Sequence, residues 1–509
     1  MPVNKLMSAE QAVALIKDGD TVGLIGGGGG LVEASCLFSA VEKRFLATGH
    51  PNNLFVIHAL GIGDRKTRGM NCFAHEGMVR RVIGGHWVWS PRMQALARDE
   101  KIEAYVLPGG VTMQLFREIG AGRPGLFTHV GLGTFVDPRF EGGKLNKRTT
   151  EDLVEVVTVA GRELLRYKPF PINIALIRGS QADATGNVSL QQEPANLDIY
   201  AIALAAHNSG GKVIVQVREA VETGSLPARA VRVPGAIVDA VVVDPGQRMT
   251  YDIVHDPSMS GEKRAPVPAE PPAPFTVRQA IARRAAEELT DGAVVNYGFG
   301  IPDAVAKLVA ARGHLDRYYQ TIEHGTYGGT LLDGTLFGFA RNPTAMIDAP
   351  SQFDFYSGGG LDIAFLGFGE ADAAGHVNVS KLGGLPVGPG GFIDIAQNAR
   401  KVVFCGTFDT KGTEIVTGDG TLKIKRQGEV RKLVRTVEQI TFSGSVAVKR
   451  GQQVLYVTER AVFRLTPQGM ALIEIAPGVD LRRDVLERMD FKPLLPSDPK
   501  IMSASFFTA

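Results

Sequence analysis

Cysteine is scarce. Only Cys36, Cys72 and Cys405 occur among 509 residues, and none forms a CxxC pair. Neither a disulfide framework nor a cysteine zinc site is therefore indicated, and the three thiols fit a reducing compartment. The ten histidines show no HExxH or other dense ligand spacing, so no metal is predicted. No uninterrupted apolar run approaches the ~20 residues needed to span a bilayer. The opening MPVNKLMSAEQAVALIKDGD has no basic stretch followed by an apolar one, so no signal peptide is expected. An excess of either charge is also lacking. Lys plus Arg is 55 and Asp plus Glu is 53, for a net charge of +2. That balance argues against a nucleic-acid partner and still permits a local basic pocket for an anion. The expectation is a soluble cytoplasmic protein with neither a nucleic-acid nor a membrane partner.

Glycine, by contrast, is abundant: 61 residues, about 12% against a usual ~7%. It clusters, which reads as loops brought close to a ligand. The length argues for two to four domains at roughly 150 residues each. HDPSMSGEKRAPVPAEPPAPF carries six prolines between Pro257 and Pro274 and divides the chain nearly in half. Proline lacks an amide donor and fixes φ, so this stretch is expected to be extended. The organisation expected is a first unit over 1–255, a linker over 256–275 and a second unit over 276–509.

The halves resemble each other. Asp18-Gly-Asp-Thr-Val-Gly-Leu-Ile-Gly-Gly-Gly-Gly matches Asp291-Gly-Ala-Val-Val-Asn-Tyr-Gly-Phe-Gly-Ile-Pro. Each reads as a turn, a short apolar strand, a glycine loop and a helix, the first helix over Leu31 to Leu46 and the second from Pro302 to Gly313. Asn173–Val188 matches Asp362–Val377, with Asp183 and Gly186 answering Asp372 and Gly375. A third match, His207–Val215 with Gln397–Phe404, needs a one-residue gap. Asp18 to Asp183 spans 165 positions and Asp291 to Asp372 spans 81, so the first half carries an insertion, placed in 65–150. Short apolar strands alternating with helices predict an α/β fold: two duplicated open α/β domains with mainly parallel sheets.

In such sheets ligands bind beyond the carboxyl ends of the strands. There the strand candidate Ala293–Tyr297 runs into Gly298-Phe-Gly-Ile-Pro, and Tyr318–Ile322 runs into Glu323-His-Gly-Thr-Tyr-Gly-Gly, so both loops face one crevice. A third glycine loop, Gly383 to Gly391, enters a helix near Phe392 and offers backbone amides to an anion. With a reference pKa near 4.3, Glu323 should be ionised at neutral pH. A carboxylate is a weak nucleophile and needs a good leaving group, such as a thiolate, and aimed donors for the oxyanion.

Thr321-Ile-Glu-His-Gly-Thr-Tyr-Gly-Gly resembles the catalytic glutamate segment of the family I coenzyme A transferases, and Gly388-Pro-Gly-Gly-Phe-Ile-Asp resembles their GxGGxxD segment. Leu107–Ile119, running on to Val130–Arg139, is similar to the fused single-chain branch, which includes propionate and acetate coenzyme A transferases. The resemblance implies a ping-pong transfer of coenzyme A between a short-chain acyl-CoA and a free carboxylic acid. Glu323 would be the nucleophile, and Gly388, Gly390 and Gly391 would supply coenzyme A contacts and oxyanion donors. It implies coenzyme A as substrate, no permanently bound cofactor, and a homodimer or homotetramer.

Two departures stand out. Relatives carry Ser-Glu-Asn-Gly where this chain has Ile322-Glu323-His324-Gly325, and Pro-Gln-Gly where it has Pro108-Gly109-Gly110. Both changes bear on acid selectivity. His324 is read as a packing or hydrogen-bonding neighbour, Cys405 as packing, and the Asp183 and Asp372 turns as structural. Gly26–Gly30 lacks the full context of a dinucleotide turn. A thioester hydrolase on the same scaffold, and a non-catalytic ligand-sensing module, are the alternatives.

Overall fold

The computed structural model describes residues 4–266 and 275–509. Residues 267–274 of the expected linker lie outside the described residues. The first half builds one sheet from β1 (Thr21–Leu24), β2 (Leu54–His58), β3 (Val79–Gly84), β4 (Glu103–Tyr105), β5 (Ile174–Arg178), β6 (Lys212–Val217) and β7 (Ala240–Val243). Their order is β7-β6-β5-β1-β2-β3-β4, and every pair is parallel. Runs such as Leu54-Phe-Val-Ile-His and Ile174-Ala-Leu-Ile-Arg are buried at every position, as strands covered on both faces must be.

The second half builds a ten-stranded sheet from β8 (Val294–Tyr297), β9 (Tyr319–Ile322), β10 (Thr326–Tyr327), β11 (Ala345–Met346), β12 (Ile363–Gly367), β13 (Lys401–Cys405), β14 (Gln453–Val457), β15 (Ala461–Thr466), β16 (Gly469–Ile475) and β17 (Lys500–Ile501). The order is β11-β10-β9-β8-β12-β13-β14-β15-β16-β17. Its centre, β9-β8-β12-β13-β14, is parallel and repeats the order β2-β1-β5-β6-β7 of the first sheet. This is the duplicated α/β architecture expected, here with antiparallel additions on both flanks of the second sheet. The registers agree as well. Ile174 pairs with Lys212, and Ile363 with Lys401, so the third match keeps the offset of the second and its gap falls in the turn before the strand.

The helix after each glycine loop is α1 (Ser35–Thr48) in the first half and α5 (Asp303–Ala311) in the second. Here α1 starts four residues later than expected, because Leu31–Ala34 bury their side chains against the sheet in non-helical backbone. It ends where Gly49, at φ 73°, donates to the Phe45 carbonyl at 2.7 Å, a left-handed stop that suits glycine. The first-half insertion supplies β3, α2 (Pro91–Arg98), β4 and α3 (Gly109–Gly120), and α3 packs on α4 (Ile199–Asn208). Crucially, α3 also packs on α6 (Ala349–Ser357) and α7 (Phe392–Asn398) of the second half. One apolar core thus runs through both halves, from Leu24 and Ile57 to Phe353 and Ile395.

Several of the clustered glycines are required by packing. A Cβ on Gly28 would overlap the Trp89 ring, on Gly29 the Thr335 carbonyl oxygen, on Gly325 the Ile347 carbonyl oxygen, and on Gly329 that of Arg341. Gly29 and Gly49 have nearly equal φ, 76° and 73°, yet a methyl group added at Gly49 would meet nothing within 4 Å. Gly49→Ala should therefore cost only the left-handed backbone penalty of about 1–2 kcal/mol, and Gly29→Ala at least ~2 kcal/mol more. Urea denaturation of the two variants checks this; equal losses would show that the contact between the halves is slack.

Candidate active site

β9 ends at Ile322, and the chain reverses through Glu323-His324-Gly325 into β10, whose Thr326 pairs back with Ile322. Such a three-residue hairpin needs a left-handed residue before the return strand, and Gly325 supplies it at φ 95°. Glu323 thus stands at the carboxyl end of a parallel strand, next to the end of β8. The strand end is pinned from behind. Tyr356 Oη donates to Thr321 Oγ1 at 2.8 Å, and Thr321 Oγ1 donates to the Val295 carbonyl at 3.0 Å. Asn296 Nδ2 donates to the Thr321 carbonyl at 3.3 Å.

The Glu323 side chain keeps 21% of its surface. Opposite it lies Gly391, just before α7, whose backbone N–H faces the Glu323 carboxylate and favours its charged form. A Cβ on Gly391 would overlap Glu323 Oε2 and come to 2.9 Å from Phe353 Cζ, so only glycine admits this approach. The other glycines of the loop are committed elsewhere. Gly388 donates its N–H to the Ser380 carbonyl at 3.0 Å and Gly390 to the Gly85 carbonyl at 2.8 Å, and residue 389 is proline. Of Gly388, Gly390 and Gly391, only Gly391 points a donor at the carboxylate.

The same loop is clasped by the first half. Gly109 N–H donates to the Gly390 carbonyl at 2.7 Å. The carboxylate of Asp394, fully buried on α7, accepts the N–H groups of Gly110 at 3.2 Å and Val111 at 3.1 Å. An acid of one half thereby caps a helix of the other, where unpaired amides and the helix dipole favour negative charge. A Cβ on Gly110 would overlap Phe353 and come to 2.6 Å from Asp394 Oδ1. The Gly109-Gly110 pair is therefore seated in a tight seam. Sequence reasoning includes Asp394 within GxGGxxD without singling it out, and it misses Phe353 and Gly85. The spacing of GxGGxxD holds the signal for Asp394; the other two come from remote segments.

Burial pushes the Glu323 carboxyl up to about 7, against the pull of the Gly391 N–H. The group expected from its reference value to be fully ionised at neutral pH is thus poised there. Burial also lifts Asp394 to about 8; the Gly110 amide opposes this and the charge of Glu323 adds to it. Burial depresses His324 to about 4. Its Nδ1 donates to the Gly338 carbonyl at 3.0 Å, and its Nε2 stands 3.8 Å from Glu323 Oε1. It is a neutral neighbour of the carboxylate. Cys405 is buried in β13, and Asp183 and Asp372 fold their own turns by accepting N–H groups from Thr185 and Asn187, and from Ala374 and His376. Among the described residues no three His, Cys, Asp or Glu side chains gather as a metal-ligand set.

The duplication adds a contrast. Gly23 pairs with Ile57, and its counterpart Asn296 pairs with Thr321. Two residues on, Ala59 therefore answers Glu323. A Cβ on Gly109 would stand 3.1 Å from both the Ala59 carbonyl oxygen and the Gly390 carbonyl carbon, so both strand ends converge on one seam, and only one carries an acid.

A single strand-end carboxylate facing a glycine amide is an arrangement that acyl transfer through a glutamate requires. The family model described as Coenzyme A transferase matches residues 6–244. Caffeate CoA-transferase of Acetobacterium woodii is 45% identical over 513 residues, covering 99% of this chain and 97% of its own. Acetate CoA-transferase YdiF of Escherichia coli K12 is 42% identical over 503 residues, covering 99% and 95%. The crystal structure of the acyl-CoA transferase YdiF from E. coli O157:H7, a thioester complex with CoA, superposes with a TM-score of 0.94 at 41% identity, over 99% of this chain and 96% of that one. The chain belongs to the coenzyme A transferase family. As in those single-chain relatives, both halves of the transferase lie on one polypeptide.

A nucleophilic carboxylate works only when ionised, and kcat/KM reports the free enzyme. With Glu323 at about 7, kcat/KM for an acyl-CoA should be level above pH 7 and fall roughly tenfold per pH unit below it. A pH–rate profile that stays flat down to pH 5 would contradict the placement of this group.

Proposed function

We propose that the transferase moves coenzyme A between a short-chain acyl-CoA and a free carboxylic acid through Glu323. The observation that carries this reading is the Glu323 carboxylate held against the Gly391 amide at the seam of the two halves. In the first step a Glu323 oxygen attacks the thioester carbonyl carbon. The C–S bond breaks, coenzyme A leaves as thiolate, and an acyl-glutamyl anhydride remains. The thiolate then attacks the Glu323 carbonyl carbon, expelling the first acid as its carboxylate and leaving a glutamyl-CoA thioester. A second carboxylate reverses both steps. The Gly391 N–H is aimed at the oxyanion that forms on Glu323 itself, and one such donor contributes roughly 3–4 kcal/mol by analogy with oxyanion holes. Binding of the remote coenzyme A moiety supplies the rest of the barrier lowering. Coenzyme A is a substrate here, and no permanently bound cofactor enters the scheme.

Cationic and aromatic groups of both halves meet at their junction. Arg65 lies 4.3 Å over the Trp89 ring and 5.9 Å from that of Phe299, and Phe299 meets Phe337 edge to face at 5.2 Å. Two relatives are named for acetate and for caffeate, acids of very different size. We assign this chain to small aliphatic acids such as acetate and propionate, and to a cytoplasmic homodimer or homotetramer.

Steady-state kinetics with acetyl-CoA and a panel of acids tests this. Parallel double-reciprocal lines are expected, with propionate used more efficiently than a cinnamate-type acid and no turnover in Glu323→Ala. Release of coenzyme A without any acceptor would instead show a thioester hydrolase, and intersecting lines would rule out the covalent intermediate.

A further inference from the structure

An open α/β sheet offers a ligand crevice where neighbouring strands connect in opposite directions. The duplication provides two. In the first half, β1 leads to β2 on one side and β5 leads to β6 on the other, so the switch lies between β1 and β5. Beyond the carboxyl ends of β5, β6 and β7, under the start of α1, lies a cavity of about 480 Å³. Glu323 and the Gly388–Gly391 loop take no part in it.

Four arginines line this cavity: Arg68, Arg92, Arg178 and Arg248. Arg178 closes β5 and is 2% exposed. It pairs with Glu193 at 2.8 Å and donates to the Glu33 carbonyl at 3.2 Å, but its buried Nε has no partner. Arg68 reaches a carboxylate only at 3.9 Å, on Asp64. Arg248 donates to the Asp252 carbonyl at 2.8 Å, and among the described residues no ion pair joins Arg92 or Arg248 to an acid. The two acids in the lining are engaged: Glu42 bonds His75 at 2.8 Å, and Asp244 accepts the Gly246 N–H at 3.0 Å. Arg92 and Arg248 therefore keep guanidinium N–H groups at the cavity with no carboxylate paired to them among the described residues. Guanidinium forks match phosphate oxygens in pairs, and the volume is that of a small-molecule site.

A wall separates it from the catalytic seam. Gly30 lines the cavity, whereas Gly28 and Gly29 on the same loop pack on Trp89 and Thr335. Tyr251 secures this wall, donating its N–H to the Gly29 carbonyl at 2.9 Å and its hydroxyl to Glu33. We propose that the cavity is a second, non-catalytic site that binds a pyrophosphate-bearing ligand through Arg68, Arg92, Arg178 and Arg248.

Calorimetric titration of the full chain with inorganic pyrophosphate and with ADP, each in the presence of saturating coenzyme A, tests this. Binding is expected to persist under coenzyme A and to weaken about tenfold or more in the Arg92→Ala/Arg248→Ala double variant. Both positions are exposed, so the variant should fold, and its KM for acetyl-CoA should stay unchanged. Tighter binding of ADP than of pyrophosphate would identify a nucleotide as the ligand source; equal binding would identify the free anion. Binding abolished by coenzyme A, binding equal in the double variant and the parent, or no heat at millimolar ligand would each overturn the proposal.

Discussion

The structure turns on a clasp between two loops. The segment before α7 is held by the first half at three points: Gly390 N–H on the Gly85 carbonyl, Gly109 N–H on the Gly390 carbonyl, and Asp394 on the first amides of α3. Each bond is buried, so each would leave an unsatisfied polar group at a cost of about 1–3 kcal/mol if the halves parted. The clasp leaves one amide of the loop, that of Gly391, directed at the Glu323 carboxylate. Relative placement of the Glu323 carboxylate and the Gly391 amide is thus built into the junction of the halves. The arrangement opposes full ionisation. A carboxyl lifted to about 7 destabilises the folded state as pH rises from its unfolded value through 7, an effect of about 2 kcal/mol once the exposed part of the side chain is allowed for.

The duplication places different residues at equivalent strand ends. The two sheets share the strand order β2-β1-β5-β6-β7 and β9-β8-β12-β13-β14, and both present a strand end to the seam. Ala59 occupies the end in the first half and Glu323 in the second. The first half instead contributes the wall: Gly85, Gly109 and Gly110 clasp the loop, and Trp89 meets the second half through Arg65 and Phe299. A second acid at position 59 would add a like charge to a region that already holds Glu323 and Asp394.

Much of this is legible in the sequence, for identifiable reasons. β6 and β13 are legible because short, mostly apolar segments follow a turn, each opened by a lysine. Glu323 stands out because the segment Thr321–Gly329 resembles the catalytic glutamate segment of the family. The packing role of the glycines is not legible in the sequence. Gly28, Gly29, Gly325 and Gly329 are each required by a side chain or carbonyl elsewhere in the chain, which local pattern does not reveal. The start of α1 is misplaced for a similar reason: Leu31–Ala34 are apolar enough to continue a helical pattern, and tertiary burial rather than period decides their backbone. The pairing of Asp394 with α3 joins positions 284 apart, out of reach of any local signal.

The central claim is that Glu323 itself becomes esterified to coenzyme A. The most direct measurement is peptide mass mapping after the protein is incubated with acetyl-CoA, quenched and digested. The account predicts a coenzyme A adduct on the peptide containing Glu323, removed when acetate is added before the quench and absent in Glu323→Gln. An unmodified Glu323 peptide in protein that is turning over, or an adduct on another residue, would contradict it.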